Sequence, residues 1–169
     1  MNVLLSSCGH WWNAEAAYAA TLAEALRDAG HGVWMLAPPH TRNGEALRLR
    51  GLPLLEGMPL WSGNPLTLAR ALWRLRRWQQ AQGIQVVNVF RARDTALHAL
   101  VNRGTGAALV RTRGTARPLR VQPWTRRAYQ DGGDGLILPC QAQARAMAGQ
   151  LGGLHRVHSV IYYPAPTAV

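Results

Sequence analysis

The chain has 169 residues and a mass of 18.5 kDa, which suits one compact domain and excludes a pair of ordinary size. Hydrophobic residues make up 48% and charged residues 16%, so a sizeable core is expected and wholesale disorder is excluded. Basic residues number 19 against 8 acidic, a net charge of +11, and every one of the basic residues is arginine. Guanidinium forks bind phosphate and carboxylate bidentately where an ammonium cannot, so an anionic partner is expected: nucleic acid, anionic lipid or a phosphorylated substrate. No apolar run is long enough to span a bilayer. The start, Met1-Asn2-Val3-Leu4-Leu5, lacks the basic flank and longer apolar stretch of a signal peptide. Two cysteines, Cys8 and Cys140, make neither a disulfide scaffold nor a four-ligand zinc site, and His155 and His158 stand without a supporting ligand set. A reducing cytoplasm and no metal are expected.

Short apolar runs alternate with longer helical periodicities, the pattern of a parallel α/β sheet. Residues 3–7 read as a first strand. Tyr18, Leu22, Ala25, Leu26 and Ala29 then recur at helical spacing, with Gly30 as the stop. Residues 33–37 form a second strand halted by Pro38-Pro39, 42–50 a short helix ending at Gly51, and 52–56 a third strand. Asn64-Pro65 is a cap followed by proline at the first helical position, opening a helix to Gln82 with Leu68, Leu72 and Leu75 on its inner face. Residues 84–89 are a fourth strand, a helix runs from Asp94 to Gly104, and 107–111 are a fifth strand. Residues 112–123 lack periodicity; 136–138 and 157–161 are the sixth and seventh strands, flanking a helix over 141–151 closed by Gly152-Gly153. The tail from Tyr162, with Pro164 and Pro166, is linker-like, as in a domain cut from something longer.

Ligands of open α/β sheets sit beyond the carboxyl ends of the strands, which singles out three loops. The first, through Gly9, His10, Trp11, Trp12, Asn13 and Glu15, has too few glycines for a dinucleotide fingerprint or a P-loop. Asn13 fits a helix cap, a helix start here offers free N–H groups to an anion, and the tryptophan faces suit sugar stacking or a domain contact. In the second, Arg91, Arg93 and Asp94 surround a helix start. Capping and the dipole account for the carboxylate, whereas the two cations oppose the dipole and call for an anion. The third carries Arg111, Thr112, Arg113, Gly114, Thr115, Arg117 and Arg120 from the end of a strand, either a solvated basic loop or an anion site. The helix bearing Arg70, Arg74, Arg76 and Arg77 with Trp73 and Trp78 is an exposed face or a surface touching anionic membrane. Cys140 fits a packed small residue, and there is no Gly-x-Ser-x-Gly elbow. The residues alone therefore define an anion-binding α/β domain.

Three segments, in serial order across essentially the whole chain, resemble the N-terminal domain of family-4-type, retaining GT-B glycosyltransferases. Trp12-Asn13-Ala14-Glu15 followed by Leu22 through Gly30-His31-Gly32-Val33 is similar to the family's Gly-Gly-x-Glu loop and Gly-His-x-Val run. Val86-Val87-Asn88-Val89-Phe90 with Arg93-Asp94 is similar to its His-x-His strand. Leu109 through Gly114 resembles its Thr-x-His loop, and Asp134 through Cys140 its Asp-x-Val-Ile-x-x-Ser. Trp12 and Asn13 stand where many relatives have two glycines, Asn88 and Phe90 replace the histidine pair, and Gly114 replaces the loop histidine.

The resemblance implies a Rossmann-like three-layer sandwich with a mostly parallel sheet of about seven strands, over residues 1–161, with 162–169 opening an interdomain linker. The donor-binding C-terminal domain lies outside the 169 residues. It also implies transfer of a sugar from a UDP-, GDP- or ADP-sugar to a glycan or lipid-linked, lipopolysaccharide-type acceptor. No cofactor falls to this half, which mainly binds acceptor. Gly9, His10, Trp11, Trp12, Asn13, Glu15, Arg91, Arg93, Asp94, Thr112, Arg113, Arg117 and Arg120 would be substrate-binding; no catalytic residue is assigned. The missing domain and an anionic membrane are further partners. Nucleic acid is disfavoured, because the aromatics form no stacking platform on a sheet face. The competing classes are a non-catalytic arginine-rich anion- or nucleic-acid-binding module and a decayed, inactive glycosyltransferase.

Overall fold

The computed structural model describes residues 1–114, 122–130, 132–154 and 157–162. In chain order the elements are β1 (Asn2–Ser6), α1 (Ala14–Asp28), β2 (Gly32–Leu36), α2 (Arg42–Leu49), α3 (Pro65–Ala81), β3 (Val86–Val89), α4 (Ala92–Asn102), β4 (Ala108–Thr112), α5 (Pro123–Gln130), β5 (Gly135–Leu138), α6 (Gln141–Leu151) and β6 (His158–Val160). The six strands form one sheet in the order β2-β1-β3-β4-β5-β6. Every pairing is parallel, with Leu4 beside Trp34 on one side and Val87 on the other. The strand order reverses between β1 and β3, which opens a crevice at their carboxyl ends.

Both faces are covered, as a parallel sheet requires. On one, Leu4, Leu36, Val87, Val89 and Leu109 pack with Ala71 and Leu75 of α3 and Val101 of α4. On the other, Val3, Leu5, Val33 and Met35 pack with Tyr18, Ala19, Ala20 and Ala23 of α1 and Leu47 of α2. The small side chains of α1 let that helix settle close to the sheet. Leu136 and Leu138 of β5 pack with Tyr129 of α5 and Met147 and Leu151 of α6.

Local chemistry fixes the helix starts. Asn13 caps α1 by accepting from Ala16 N, and Asn64 caps α3 by accepting from Leu66 N and Thr67 N, with Pro65 just inside. At the amino end of the sheet the connections into β2 and β3 turn through Gly30 (φ 80°) and Gly83 (φ 57°), left-handed conformations that suit glycine.

Two expectations change. Residues 52–56 do not make a strand: the segment runs beside β2 through a single bridge, Met35 to Leu54, flanked by the bonds Met35 N to Pro53 O and Leu55 N to Met35 O. Pro53 has no N–H to extend a ladder, so the sheet has six strands among the described residues, not seven. The polar segment 123–130, left without an assignment by its pattern, is α5, begun by Pro123. Arg117 and Arg120 lie outside the described residues, as does the tail from residue 163.

Candidate functional site

The loop after β1 crosses the crevice at the switch point and is held from three sides. Ser7 N donates to Leu36 O at the end of β2 (2.9 Å). From α2, Asn43 Nδ2 donates to the carbonyls of Ser7 (2.7 Å) and Gly9 (3.0 Å) and reaches Ser7 Oγ at 3.3 Å, while Asn43 N donates to His10 O (3.3 Å). From the first turn of α4, Asp94 Oδ2 accepts from Cys8 N (3.3 Å), and Arg91 Nη1 donates to Cys8 O (3.0 Å). One residue of the loop, Cys8, is thus held at both its N–H and its carbonyl by a carboxylate and a guanidinium three residues apart.

This scaffold walls a cavity of about 280 Å³ lined by Ser7, Gly9, His10, Trp11, Asn13, Glu15, Ala16 and Arg91. Trp11 stands at 67% exposure with the Arg42 guanidinium 5.4 Å from its ring centroid; Trp12 is 37% exposed with Arg50 at the same distance. Partial burial pushes the Glu15 carboxyl up to about 7; Arg91 opposes the shift, Asp94 adds to it, and Arg111 and Arg113 also favour the charged form. Burial raises Asp94 as well, against the Cys8 N–H and the charges of Arg91 and Arg93. The Cys8 thiol, 3.5 Å from Ser6 Oγ, is pushed well above its ordinary value by burial, so it is no nucleophile.

At the end of β4, Arg111 and Arg113 are buried side chains, not members of a solvated basic loop. Arg111 Nη2 and Arg113 Nη1 both donate to the Tyr129 hydroxyl, at 2.6 and 2.7 Å, and the Arg111 guanidinium lies 3.8 Å from the centre of the Tyr129 ring. Burial lowers Arg111, opposed by Tyr129 and reinforced by Arg113. Thr112, between them, is fully buried and donates to Asn88 Oδ1 (2.9 Å), which ties β4 to β3.

The residues singled out in the sequence therefore divide. Gly9, His10, Trp11, Asn13, Glu15 and Arg91 share one cavity. Asp94 holds the loop from within, bonding Cys8 N where a cap on its own helix was expected; the N-cap position of α4 is Arg91. Arg93 donates to Ser62 O (2.9 Å), so carbonyls answer both cations of this loop. Thr112 is fully buried, with its hydroxyl bonded to Asn88, and does not line the cavity. Asn43 and Tyr129, the two residues that fix the loop and the arginine pair, carry no sequence signal of a site: one follows a helix cap, the other sits in an unassigned segment.

With hydrogen-bond donors, a carboxyl acceptor and an indole face, the cavity is suited to a polyhydroxylated ring. No family model and no curated protein sequence matches the chain. Solved structures do. A glycosyltransferase from Rickettsia africae aligns at TM-score 0.75 and 12% identity, over 95% of this chain and 42% of that one. Anabaena HepE in complex with UDP-glucose aligns at 0.76 and 15%, over 98% and 44%. The lipopolysaccharide outer core galactosyltransferase WaaB aligns at 0.65 and 8%, over 100% and 47%. The chain spans less than half the length of these proteins and has the fold of one half of a GT-B glycosyltransferase.

Proposed function

We propose that the chain is the acceptor-side half of a retaining glycosyltransferase that moves a sugar from a nucleotide-sugar donor to a glycan or lipid-linked acceptor. The observation that carries the reading is the cavity at the topological switch point, walled by Glu15, Asn13, His10 and Arg91 beside an exposed Trp11. The fold shared with HepE, complexed with UDP-glucose, and with WaaB supports it. In this reading Glu15 accepts a hydrogen bond from an acceptor hydroxyl, Arg91 donates to a neighbouring one, and Trp11 and Trp12 close over the ring. Arg111 and Arg113 supply positive potential felt at Glu15. A reducing, cytoplasmic setting agrees with the two free cysteines. No helix among the described residues is long and apolar enough to cross a membrane.

One wall of a two-sided site cannot position both reactants, so this half alone is expected to turn over nothing. Incubating the full polypeptide with UDP-, GDP- and ADP-sugars and glycan acceptors tests the proposal by nucleotide release. Saturation-transfer NMR of this chain with the same glycans tests the acceptor side, with Trp11→Ala and Glu15→Gln weakening the signal. Neither donor binding nor turnover in the full polypeptide overturns it. Donor binding without turnover marks a decayed enzyme. Salt-dependent binding of the chain to random DNA, tighter than to phosphorylated glycans, marks an arginine-rich binding module instead.

A further inference from the structure

The cavity wall carries more positive charge than an uncharged ring calls for. Arg91 lines it, with Nη1 committed to the Cys8 carbonyl at 3.0 Å. That bond fixes the direction of the guanidinium but leaves its charge unbalanced, since a carbonyl carries no net charge. Asp94, three residues on, is engaged by the Cys8 N–H, and no carboxylate lies within ion-pair distance of Arg91 among the described residues. Over Trp11, itself a lining residue, stands the Arg42 guanidinium, 5.4 Å from the ring centroid. From the end of β4, Arg111 and Arg113 add positive potential that reaches Glu15. Against these cations the lining holds one carboxyl, that of Glu15. Burial keeps a proton on it towards neutral pH in spite of the guanidiniums, so it offers an O–H donor as well as a carbonyl acceptor. A ring bearing hydroxyls alone needs neither the excess charge nor the acid proton; a ring bearing an anion uses both.

We propose that the ring held in this cavity carries a carboxylate, as a hexuronic acid does, and that this carboxylate shares one proton with Glu15 while the remaining N–H groups of Arg91 face it. The inference rests on the acceptor-side reading and names the substrate class of that site. A chamber of about 280 Å³ takes a single ring with its substituent. Two carboxyls in contact cannot both ionise, so they hold a proton between them. Arg91, oriented beforehand by the Cys8 carbonyl, meets a carboxylate with a fork of N–H groups and loses little freedom in doing so. A carboxylate of one charge matches one proton and one fork, whereas a phosphate monoester brings nearly two charges and a third oxygen. The groups around Glu15 are His10 on the same loop, Arg91 and Asp94 from α4, Arg111 and Arg113 from β4, and Arg42 of α2 over Trp11. The arginines keep their charge throughout, and Asp94 bonds Cys8 N and does not line the cavity. Once Glu15 is ionised, binding must take a proton from solvent, so affinity falls as pH rises.

Saturation-transfer NMR and calorimetry of the chain with methyl glucuronide, methyl galacturonide, methyl glucoside and glucose 6-phosphate test it. At pH 6 one of the hexuronides is expected to bind about ten-fold tighter than the glucoside. Between pH 6 and pH 8.5 its affinity should fall about 30-fold, with one proton taken up per ligand at the upper end. Glu15→Gln donates without titrating. Its affinity should stay within about two-fold over that range, weaker than the wild type at pH 6 and tighter at pH 8.5. His10→Gln removes the histidine of the lining and should leave the fall in place. The inference is overturned, with the acceptor-side reading left standing, by any of four results: a glucoside bound as tightly as the hexuronides, affinity that does not change with pH, a fall that survives Glu15→Gln, or glucose 6-phosphate bound tighter than either hexuronide. Absence of hexuronide binding overturns it as well, and nucleotide release by the full polypeptide then shows whether the acceptor-side reading fails with it.

Discussion

Glu15 is the residue at which the cavity and the stability of the fold oppose each other, and Glu15→Gln separates them. Burial raises its folded-state pKa from 4.5 to about 7, although Arg91, Arg111 and Arg113 all favour the carboxylate. The folded protein therefore holds this proton more tightly than the unfolded chain does. The resulting stability is complete below 4.5, declines as pH rises, and is lost above about 7. At about 1.4 kcal/mol per unit, the shift corresponds to a little over 3 kcal/mol. Solvent reaches part of the group, so screening reduces this to about 1–2 kcal/mol. Glutamine carries no charge at any pH. The variant is therefore expected to match the wild type near pH 4.5 and to exceed it by about 1–2 kcal/mol at pH 8, a rise of about 3–6 °C in melting temperature. Paired thermal melts from pH 4 to 9 measure the difference curve, from which the general effect of the other charges cancels. A difference that does not change with pH, or a wild type more stable than the variant at pH 8, would show that attraction to the three arginines outweighs desolvation and would refute the reasoning.

Three further outcomes follow from buried polar groups. Asn43→Asp replaces a donor amide by a carboxylate facing the Ser7 and Gly9 carbonyls. It should cost about 2–4 kcal/mol in urea unfolding and speed hydrogen exchange across residues 8–12. Tyr129→Phe keeps the ring beneath Arg111 but removes the oxygen that accepts from two buried guanidiniums. A loss of about 2–4 kcal/mol is expected by the same measurement, and an unchanged midpoint would show that the hydroxyl is dispensable. His98 is fully buried, neither ring nitrogen has a partner among the described residues, and burial lowers its pKa from 6.5 to about 4. Its contribution is complete above 6.5 and is lost as pH falls towards 4. His98→Leu should therefore be at least as stable at pH 7 and gain progressively on the wild type below pH 6, measured by denaturant titration at each pH.

The layered fold was legible because its signals are local. Val3 to Leu5, Val33 to Leu36 and Val86 to Val89 are short apolar runs bounded by turn residues. Asn13 and Asn64-Pro65 announce helix starts through bonds within their own first turns. What failed was also local in form but decided elsewhere. Leu52-Pro53-Leu54-Leu55 has strand composition, yet the missing N–H of Pro53 restricts it to one bridge.

Within the candidate site, the loop after β1 stood out in the sequence because adjacent tryptophans and an acid crowd a position that ligands use. The means of holding it did not. Asn43, Asp94 and Arg91 act on Ser7, Cys8 and Gly9 across separations of 34 to 86 residues, which no periodicity records. Arg111 and Arg113 read as either a solvated loop or an anion site because their acceptor, Tyr129, stands more than a dozen residues away in a segment without an assigned element. Three-dimensional closure of the sheet converts a charge run into an interior pair.

The two ends of the sheet are built to different tolerances. At the amino end, Gly30 and Gly83 turn the chain sharply into β2 and β3, leaving little room for change. At the carboxyl end, the loops are anchored by side chains reaching in from other elements. For an engineer this divides the molecule into a chassis and an exchangeable head. The segment from Gly9 to Trp12 can be replaced with foreign sequence, provided that Ser7, Cys8, Asn43, Arg91 and Asp94 remain as the clamp. Library diversity placed there should alter which molecule is held and leave the melting transition close to that of the parent.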